Sequence, residues 1–500
     1  MQKNILEYLE ATAGRLPDKI AFQTDTEALS FRQVHQQARS IGSRLLKDGY
    51  CNQPIPILMG KRPQTIAAFF GVIYAGCAYV PLDVEMPRHR LEQILSQLPE
   101  GPILCDAAAK DLAAALNRPA LFYEEAAFGP VDAAALAALR ERQIDLDPIY
   151  IVFTSGSTGV PKGVMGCHRA VMDYIENLCT VLQFNEHTVF GNQTPLYFDA
   201  CLKEIIPTIK YGATTVLIPK SKFLFPVKLI EFLNDYRVNT LCWVVSALTM
   251  ISSLGALDTV VPQYVRTIAF ASEVFPIRQL NRWRKALPHT RFLNLYGPTE
   301  TTGICCYYEL DRAFSEDETL PIGRPFPNTQ ILLLDEENRV PEPGQQGEIC
   351  IRGTRLTLGY YRDEQRTEAA FVQNPLHNLY PDKIYRTGDL GRYNARGELE
   401  FISRKDHQIK HMGHRIELGE VEAAACSHQD VTSACCLYTS GKLFLYYTGP
   451  AAATELSSFL RSRLPRYMLP GILRQLDTLP RTPNGKPDRK TLLERSSQHG

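Results

Sequence analysis

The chain lacks the features that would send it to a membrane, a nucleic acid or an oxidising compartment. Across its 500 residues no apolar run approaches the ~20 residues of a bilayer span. Lys+Arg and Asp+Glu both number 54, so no global field draws the chain to nucleic acid or to a charged membrane surface. The N-terminal stretch from Met1 to Glu10 reads as the start of a charged amphipathic helix, which excludes a signal peptide there. There is no C-x-x-C pair. The 13 cysteines are scattered, with adjacent pairs at Cys305-Cys306 and Cys435-Cys436, and read as reduced core thiols of a cytoplasmic protein without a zinc site. Repeats and low-complexity tracts are absent too. What remains is ordinary globular composition, 45% hydrophobic and 22% charged, at a length that implies more than one domain.

Within that composition one stretch stands out, Phe153-Thr-Ser-Gly-Ser-Thr-Gly-Val-Pro-Lys-Gly163, placed directly after the apolar strand-like run Ile149–Phe153. Thr154, Ser155, Ser157 and Thr158 supply hydroxyls, Gly156 and Gly159 free backbone N–H groups, and Lys162 a point charge. A polyphosphate grip needs that combination. A flexible Gly/Ser linker is the plain alternative, though a linker has no need of Pro161-Lys162 at its end. The Walker spacing is not met, because Lys-Ser/Thr does not follow the glycine. Around this loop, strand and helix signals alternate. A helix is expected through Val34, Ala38, Ile41 and Leu45, a strand at Ile55–Met59, a helix over 63–76, a strand at Ala78–Asp83, and a helix through Arg90 and Leu95. Residues 105–145 read as Ala-rich surface helices. The alternation predicts α/β layers with largely parallel sheets.

The loop TSGSTGVPKG resembles the phosphate loop of the adenylate-forming superfamily, which holds acyl-CoA synthetases, luciferases and the adenylation domains of nonribosomal peptide synthesis. Further segments match in family order from about residue 29 to 490: 74–83, 196–203, 270–275, 294–302, 347–353, 358–361, 385–390, 403–422, 464–470 and 482–489. The resemblance implies a large N-terminal domain of layered sheets and helices (1–402), a hinge (403–406) and a small mobile α/β C-terminal cap (407–500). For ATP it implies the loop 154–162, the purine-side residues Ala271, Ser272 and Glu273, then Asn294, Tyr296 and Gly297, with Asp389 on the ribose and Arg404 near ribose or phosphate. Ala271-Ser272 replace the commoner Gly-Gly, and Ser403 replaces the hinge glycine. Thr299 is implied near the α-phosphate, Glu300 as a ligand of Mg2+, and Lys486 as the catalytic lysine of the cap. Asp406 is implied as the pivot and Gly413 as the face turned to a carrier's pantetheine thiol.

Asp199 decides the branch. A lone Asp at a strand-to-helix turn is often a cap, but in adenylation domains for α-amino acids an aspartate at the matching position pairs with the substrate ammonium. By the same matching, the substrate pocket is Asp199, Ala200, Lys203, Ser246, Ala269, Ala271, Leu295, Gly303, Ile304 and Lys486. Ala269, Ala271 and Gly303 are expected to leave room for a side chain. Lys203 either meets an acidic or polar substrate side chain, since a buried ammonium wants a counter-charge, or snorkels away on its helix. The implied activity is ATP-dependent amino acid adenylation followed by transfer to the phosphopantetheine of a separate carrier protein, by a monomer with no nucleic-acid or membrane partner. A D-alanine–carrier-protein ligase, an acyl-CoA synthetase and a non-catalytic nucleotide-sensing module are the alternatives. Lys203 and Leu295 argue against the first and Asp199 against the second, while the intact Lys162, Glu300, Asp389 and Lys486 argue against the third.

Overall fold

Charge and apolar residues are patterned so that strands bury both faces while helices keep one face wet, and layers follow from that. The computed structural model describes residues 2–156, 159–406, 408–481 and 487–497, with side chains to 494. Chain contacts divide it into two compact units. One holds Met1–Val84, Pro99–Val152 and Gly163–Lys405; the other holds Glu85–Leu98, Phe153–Lys162 and Asp406–Gly500. The division falls between Lys405 and Asp406. It also groups 85–98 and 153–162 with the C-terminal residues, whereas the sequence reading had put them in the N-terminal domain.

The larger unit is built on sheets whose strands are mostly parallel. The broadest runs in the order Arg324–Pro325, Cys306–Glu309, Arg291–Tyr296, Thr267–Ala271, Thr240–Val244, Val189–Asn192, Thr214–Leu217, Ile20–Gln23, Ala28–Ser30. Its central pairs are parallel, with Val244 beside Ala271, Ala271 beside Leu295 and Leu217 beside Asn192. The register therefore brings the C-terminal strand ends to one edge of the sheet, where open α/β sheets bind ligands. Period-2 alternation sends Ala269, Ala271, Leu293 and Leu295 into one buried cluster and Ile268, Phe270 and Phe292 into another. A second parallel sheet contains Pro54–Leu58, Ala78–Leu82, Ile103–Cys105 and Ala120–Phe122, with Tyr79 paired to Tyr150. In an antiparallel third, Lys383–Tyr393 pairs with Leu399–Arg404.

The helices follow their sequence signals. Phe31–Lys47 starts at a capping box, with the Ser30 side chain on the Gln33 N–H and the Gln33 side chain on the Ser30 N–H, and buries Val34, Ala38, Ile41 and Leu45. Pro63–Tyr74 opens with proline in its first turn, and it buries both faces. The 105–145 stretch contains the helices Lys110–Ala115 and Ala133–Arg142, plus a short strand at Ala120–Phe122 that composition did not suggest. Leu136 and Leu139 are buried, so the latter helix is not purely a surface one.

In the smaller unit, Ser433–Thr439, Lys442–Thr448 and Ile472–Gln475 form a sheet, accompanied by the helices Leu418–Cys426 and Ala453–Arg463. A hairpin joins Gln408–His411 to His414–Glu417. Its two turn residues, Met412 (φ 52°) and Gly413 (φ 78°), both lie in the left-handed region, as a type I′ turn requires. Among the described residues no helix is long and apolar enough to cross a membrane.

Candidate active site

Asp199 opens a short 3-10 turn, Asp199–Cys201, that leads into the helix Leu202–Tyr211. It is the first residue of that turn, not the one before it, which removes the plain capping role. The carboxylate is buried, and its pKa is pushed up to about 6. Burial is the main cause. Hydrogen bonding from Thr299 opposes it, the Glu300 charge adds to it, and Lys203 and the Ala200 N–H oppose it. Thr299, expected from the resemblance beside the α-phosphate, is thus in contact with Asp199.

Lys203 does not snorkel. Its side chain is buried, with Nζ 3.4 Å from the Thr194 hydroxyl, and its charge bears on both Asp199 and Glu204. Deeper in the same unit Lys61 donates to the carbonyls of Asn192 (2.9 Å), Gln193 (3.0 Å) and Ile218 (3.3 Å). Burial lowers the Lys61 pKa and raises that of Glu204, each countered by attraction to the other. Glu204 accepts from the Asn192 amide, and its second oxygen is buried without a hydrogen-bond partner.

Glu300 is fully buried, and its Oε1 accepts from the Tyr360 hydroxyl at 2.8 Å. Its backbone carbonyl takes the N–H and hydroxyl of Thr357, both at 3.0 Å. The charge of Glu300 adds to burial in raising the Asp199 pKa, and the Glu300 carboxylate is a hard oxygen donor of the type that divalent cations take. The neighbouring turn is tight. A Cβ on Gly297 would lie 1.9 Å from the Gly303 carbonyl oxygen, and Gly303 itself has φ +87°. The space beside Gly303 is not free, contrary to the expectation from sequence. A Cβ there would meet the Tyr174 ring at 3.2 Å. Ala269, Leu295 and Ile304 are buried in one cluster with Tyr174.

Asp389 and Arg404 are cross-strand partners and form an ion pair, and Asp389 Oδ2 also accepts from the Tyr296 hydroxyl at 2.6 Å. The Tyr296 ring packs against a core that includes Cys305, Cys306 and Ile322, and little of the face expected to stack on adenine is exposed. Asn294 donates its amide to the Pro321 carbonyl. Glu273, matched to the purine side, accepts from the Ser246 N–H at 2.8 Å, so two residues implied for different ligands are tied together. Ser272 has φ +79°, a conformation that costs an L-residue about 1–2 kcal/mol and explains why glycine is commoner there.

In the smaller unit, Ser155 donates to the Arg415 carbonyl at 2.9 Å and the Gly156 N–H donates to Glu420 Oε2 at 3.1 Å. In this structure the Gly156 N–H is thus engaged by Glu420. Gly159 has φ +81°, and among the described residues the buried Thr154 hydroxyl has no hydrogen-bond partner. Such an orphaned donor fits a polyphosphate. Lys162 is buried. Asp406 is exposed and accepts from the Gln408 N–H, and Gly413 sits at the hairpin tip. Ser157, Thr158 and Lys486 lie outside the described residues.

Sequence reasoning missed Lys61, Asp173, Tyr174, Glu204, Arg355 and Tyr360. Tyr360 lies in the matched segment 358–361, which reads as structural; the others carry no local motif, and most are placed by contacts far away in sequence, such as the 182-residue separation of Arg355 from Asp173.

In the larger unit the parallel sheet carries Asp199, Thr299 and Glu300, in the smaller unit a Gly-rich loop follows a buried strand, and both are features of α/β proteins that handle nucleotides. The family follows from the whole chain. The model of the AMP-binding enzyme family matches residues 9–361 and that of its C-terminal domain residues 420–486, and the chain belongs to this family. It is 30% identical over 502 residues to tyrocidine synthase 1 of Brevibacillus parabrevis, covering 98% of this chain and 45% of that protein. It is 33% identical over 508 residues to phosphinothricin tripeptide synthetase PhsC of Streptomyces viridochromogenes, covering 98% and 45%. The chain thus spans less than half the length of these relatives. The solved structure of holo-PA1221, described as a nonribosomal peptide synthetase protein containing adenylation and PCP domains, overlays with a TM-score of 0.85 at 25% identity, covering 99% of this chain and 84% of that one.

Proposed function

We propose that the chain adenylates an amino acid with ATP and passes the aminoacyl group to the phosphopantetheine thiol of a separate carrier protein. The observation that carries this reading is Asp199, a buried carboxylate held near pKa 6 at the C-terminal edge of the sheet. A fatty or aryl acid brings no positive group to offset the burial of this carboxylate, which Thr299, the Ala200 N–H and Lys203 offset only in part. An α-ammonium supplies one. Peptide synthases among the relatives, and adenylation plus PCP domains in PA1221, support the same class.

In the first half-reaction the substrate carboxylate, already ionised near pH 7, attacks the α-phosphorus. The new O–P bond forms as the bond to pyrophosphate breaks, and no general base is needed. The work is positioning and charge neutralisation. Asp199 holds the ammonium, Asp389 accepts from the ribose hydroxyls, and the loop 154–162 with Lys162 holds the phosphates. Lys486 is assigned to the carboxylate and ribose oxygens. Glu300 would hold Mg2+, which supplies positive charge against the triphosphate. In the second half-reaction the carrier thiol attacks the acyl carbon, the thioester forms, and AMP leaves with the electron pair of the broken C–O bond. Residues 407–500 are assigned as a cap that turns about Asp406 between the two steps and brings the Gly413 side to the thiol. We place this chemistry in the cytoplasm, where the buried thiols stay reduced.

The deciding experiment is amino-acid-dependent ATP–pyrophosphate exchange over L- and D-amino acids, with aryl and fatty acids as controls. Exchange with an amino acid that is lost in Lys486→Ala supports the reading. Exchange only with a plain carboxylic acid would sink the assignment of Asp199.

A further inference from the structure

Tyr174 lies on the helix His168–Leu182 and is almost completely buried, yet among the described residues its hydroxyl has no hydrogen-bond partner. Leaving such a group unpaired costs about 1–3 kcal/mol, whereas phenylalanine would pack the same space without that cost. The hydroxyl is not in a random part of the core. A Cβ on Gly303 would lie 3.4 Å from it, and Tyr174 shares a buried cluster with Ala269, Leu295 and Ile304. The neighbouring charge of Asp199 adds to burial in pushing the phenol's pKa up.

Its position is enforced from both sides by one guanidinium. The fully buried Arg355 donates Nη1 to the Ile304 carbonyl at 2.7 Å and Nη2 to Asp173 Oδ2 at 3.0 Å, and its guanidinium carbon lies 5.1 Å from the centre of the Phe326 ring. Asp173 immediately precedes Tyr174, and Ile304 immediately follows Gly303. The Arg355 clamp therefore fixes the helix carrying the hydroxyl against the turn that faces it. Asp173 Oδ1 also accepts from Asn328 at 2.8 Å, so both carboxylate oxygens of Asp173 are engaged without Tyr174. A second donor bears on Asp199 as well: the buried ammonium of Lys203, which interacts by charge with Asp199 and Glu204 and lies 3.4 Å from the Thr194 hydroxyl.

We propose that Tyr174 is a specificity-determining residue whose hydroxyl, set beside Gly303 by the Arg355–Asp173 clamp, donates to an acceptor oxygen at the end of the substrate's side chain. The class is a carboxylate or carboxamide amino acid, with carboxylate preferred because Lys203 adds a positive charge. This rests on the adenylation reading above and names the substrate class of that site.

The test measures kcat/KM for pyrophosphate exchange with glutamate, glutamine, aspartate, asparagine and the apolar methionine and norvaline, in the native chain and in Tyr174→Phe. Removing a donor from a site built to use it should cost about 10–100-fold on the favoured acceptor substrate while leaving the apolar ones within about twofold. The unfolding midpoint of Tyr174→Phe should not fall. An unchanged preference in Tyr174→Phe overturns this inference alone, as does native preference for an apolar side chain. No exchange with any amino acid in the native chain overturns the adenylation reading and this inference with it.

Discussion

Both units bury charge, but they treat it differently. In the smaller one Arg90 and Glu420 are a direct ion pair, each almost fully buried, and Glu420 spends its other oxygen on the Gly156 N–H. In the larger one Asp199, Lys203, Glu204 and Lys61 share a neighbourhood, yet the contacts they make are with hydroxyls, amides and carbonyls, and one Glu204 oxygen has no partner. The first arrangement holds a structure. Among the described residues the second leaves buried charge without a direct ion pair, as the proposed ammonium site requires, and the raised pKa of Asp199 records what that costs the folded state.

The largest effect that would break this comparison is at Asp199. Asp199→Asn should lower kcat/KM for amino-acid-dependent exchange by about 10³-fold, since the partner left unpaired would be a charge. The same substitution should stabilise the protein. The folded pKa is raised, from 3.8 to about 6, so the neutral form is favoured. The wild-type penalty is absent below about pH 4 and grows as pH rises through 6, reaching about 1–3 kcal/mol near neutrality. Thermal unfolding of both proteins at about pH 4 and 7.5 checks it: the midpoints should converge in acid and separate at neutral pH. If Asp199→Asn were less stable at neutral pH, Asp199 would belong with the paired charges.

Arg90→Met should do the opposite to the smaller unit, costing about 3–5 kcal/mol by leaving Glu420 buried without its cation. Denaturant unfolding should show the loss. A neutral result would mean that Glu420 simply takes up a proton, which burial already favours.

A finer effect is in the pH profile of exchange. If Asp199 must be ionised to hold the ammonium, log kcat/KM should fall with unit slope as pH drops below about 6 and flatten above it. A profile flat to pH 5 would remove that role. The smallest effect concerns backbone strain. Ser272→Gly should relieve the positive φ and stabilise by up to about 1 kcal/mol, the gain being reduced by the extra freedom of glycine in the unfolded chain.

Much of the scaffold was legible because its signals are local. The alternation of short apolar runs with helical spacing announced the layered α/β fold, and the box at Ser30–Gln33 marks where one helix begins. The Gly-rich loop stood out by composition, which by itself also allows a linker, and only Pro161-Lys162 at its end argued against one. The pocket was only half legible. Gly303 reads as empty space in sequence, yet Tyr174 fills that space from a helix more than a hundred residues earlier. Lys203 left two readings open because nothing local says where a long side chain ends. Its burial against Thr194 depends on how a strand end and a helix meet. Arg355 gave no signal at all, since an arginine after Gly353-Thr354 looks solvated until the fold puts Asp173 beside it.

Lys61 bears on how such chains could be recombined. Its ammonium ties together the ends of two neighbouring parallel strands, through the carbonyls of Asn192, Gln193 and Ile218. A block transplanted from residue 189 to 304 would carry every pocket position of the larger unit that the sequence motifs point to, but it would leave this fastener behind in the donor. The block is therefore not self-contained: a chimera needs a lysine at position 61 as well, or it inherits three carbonyls with nothing to hold them.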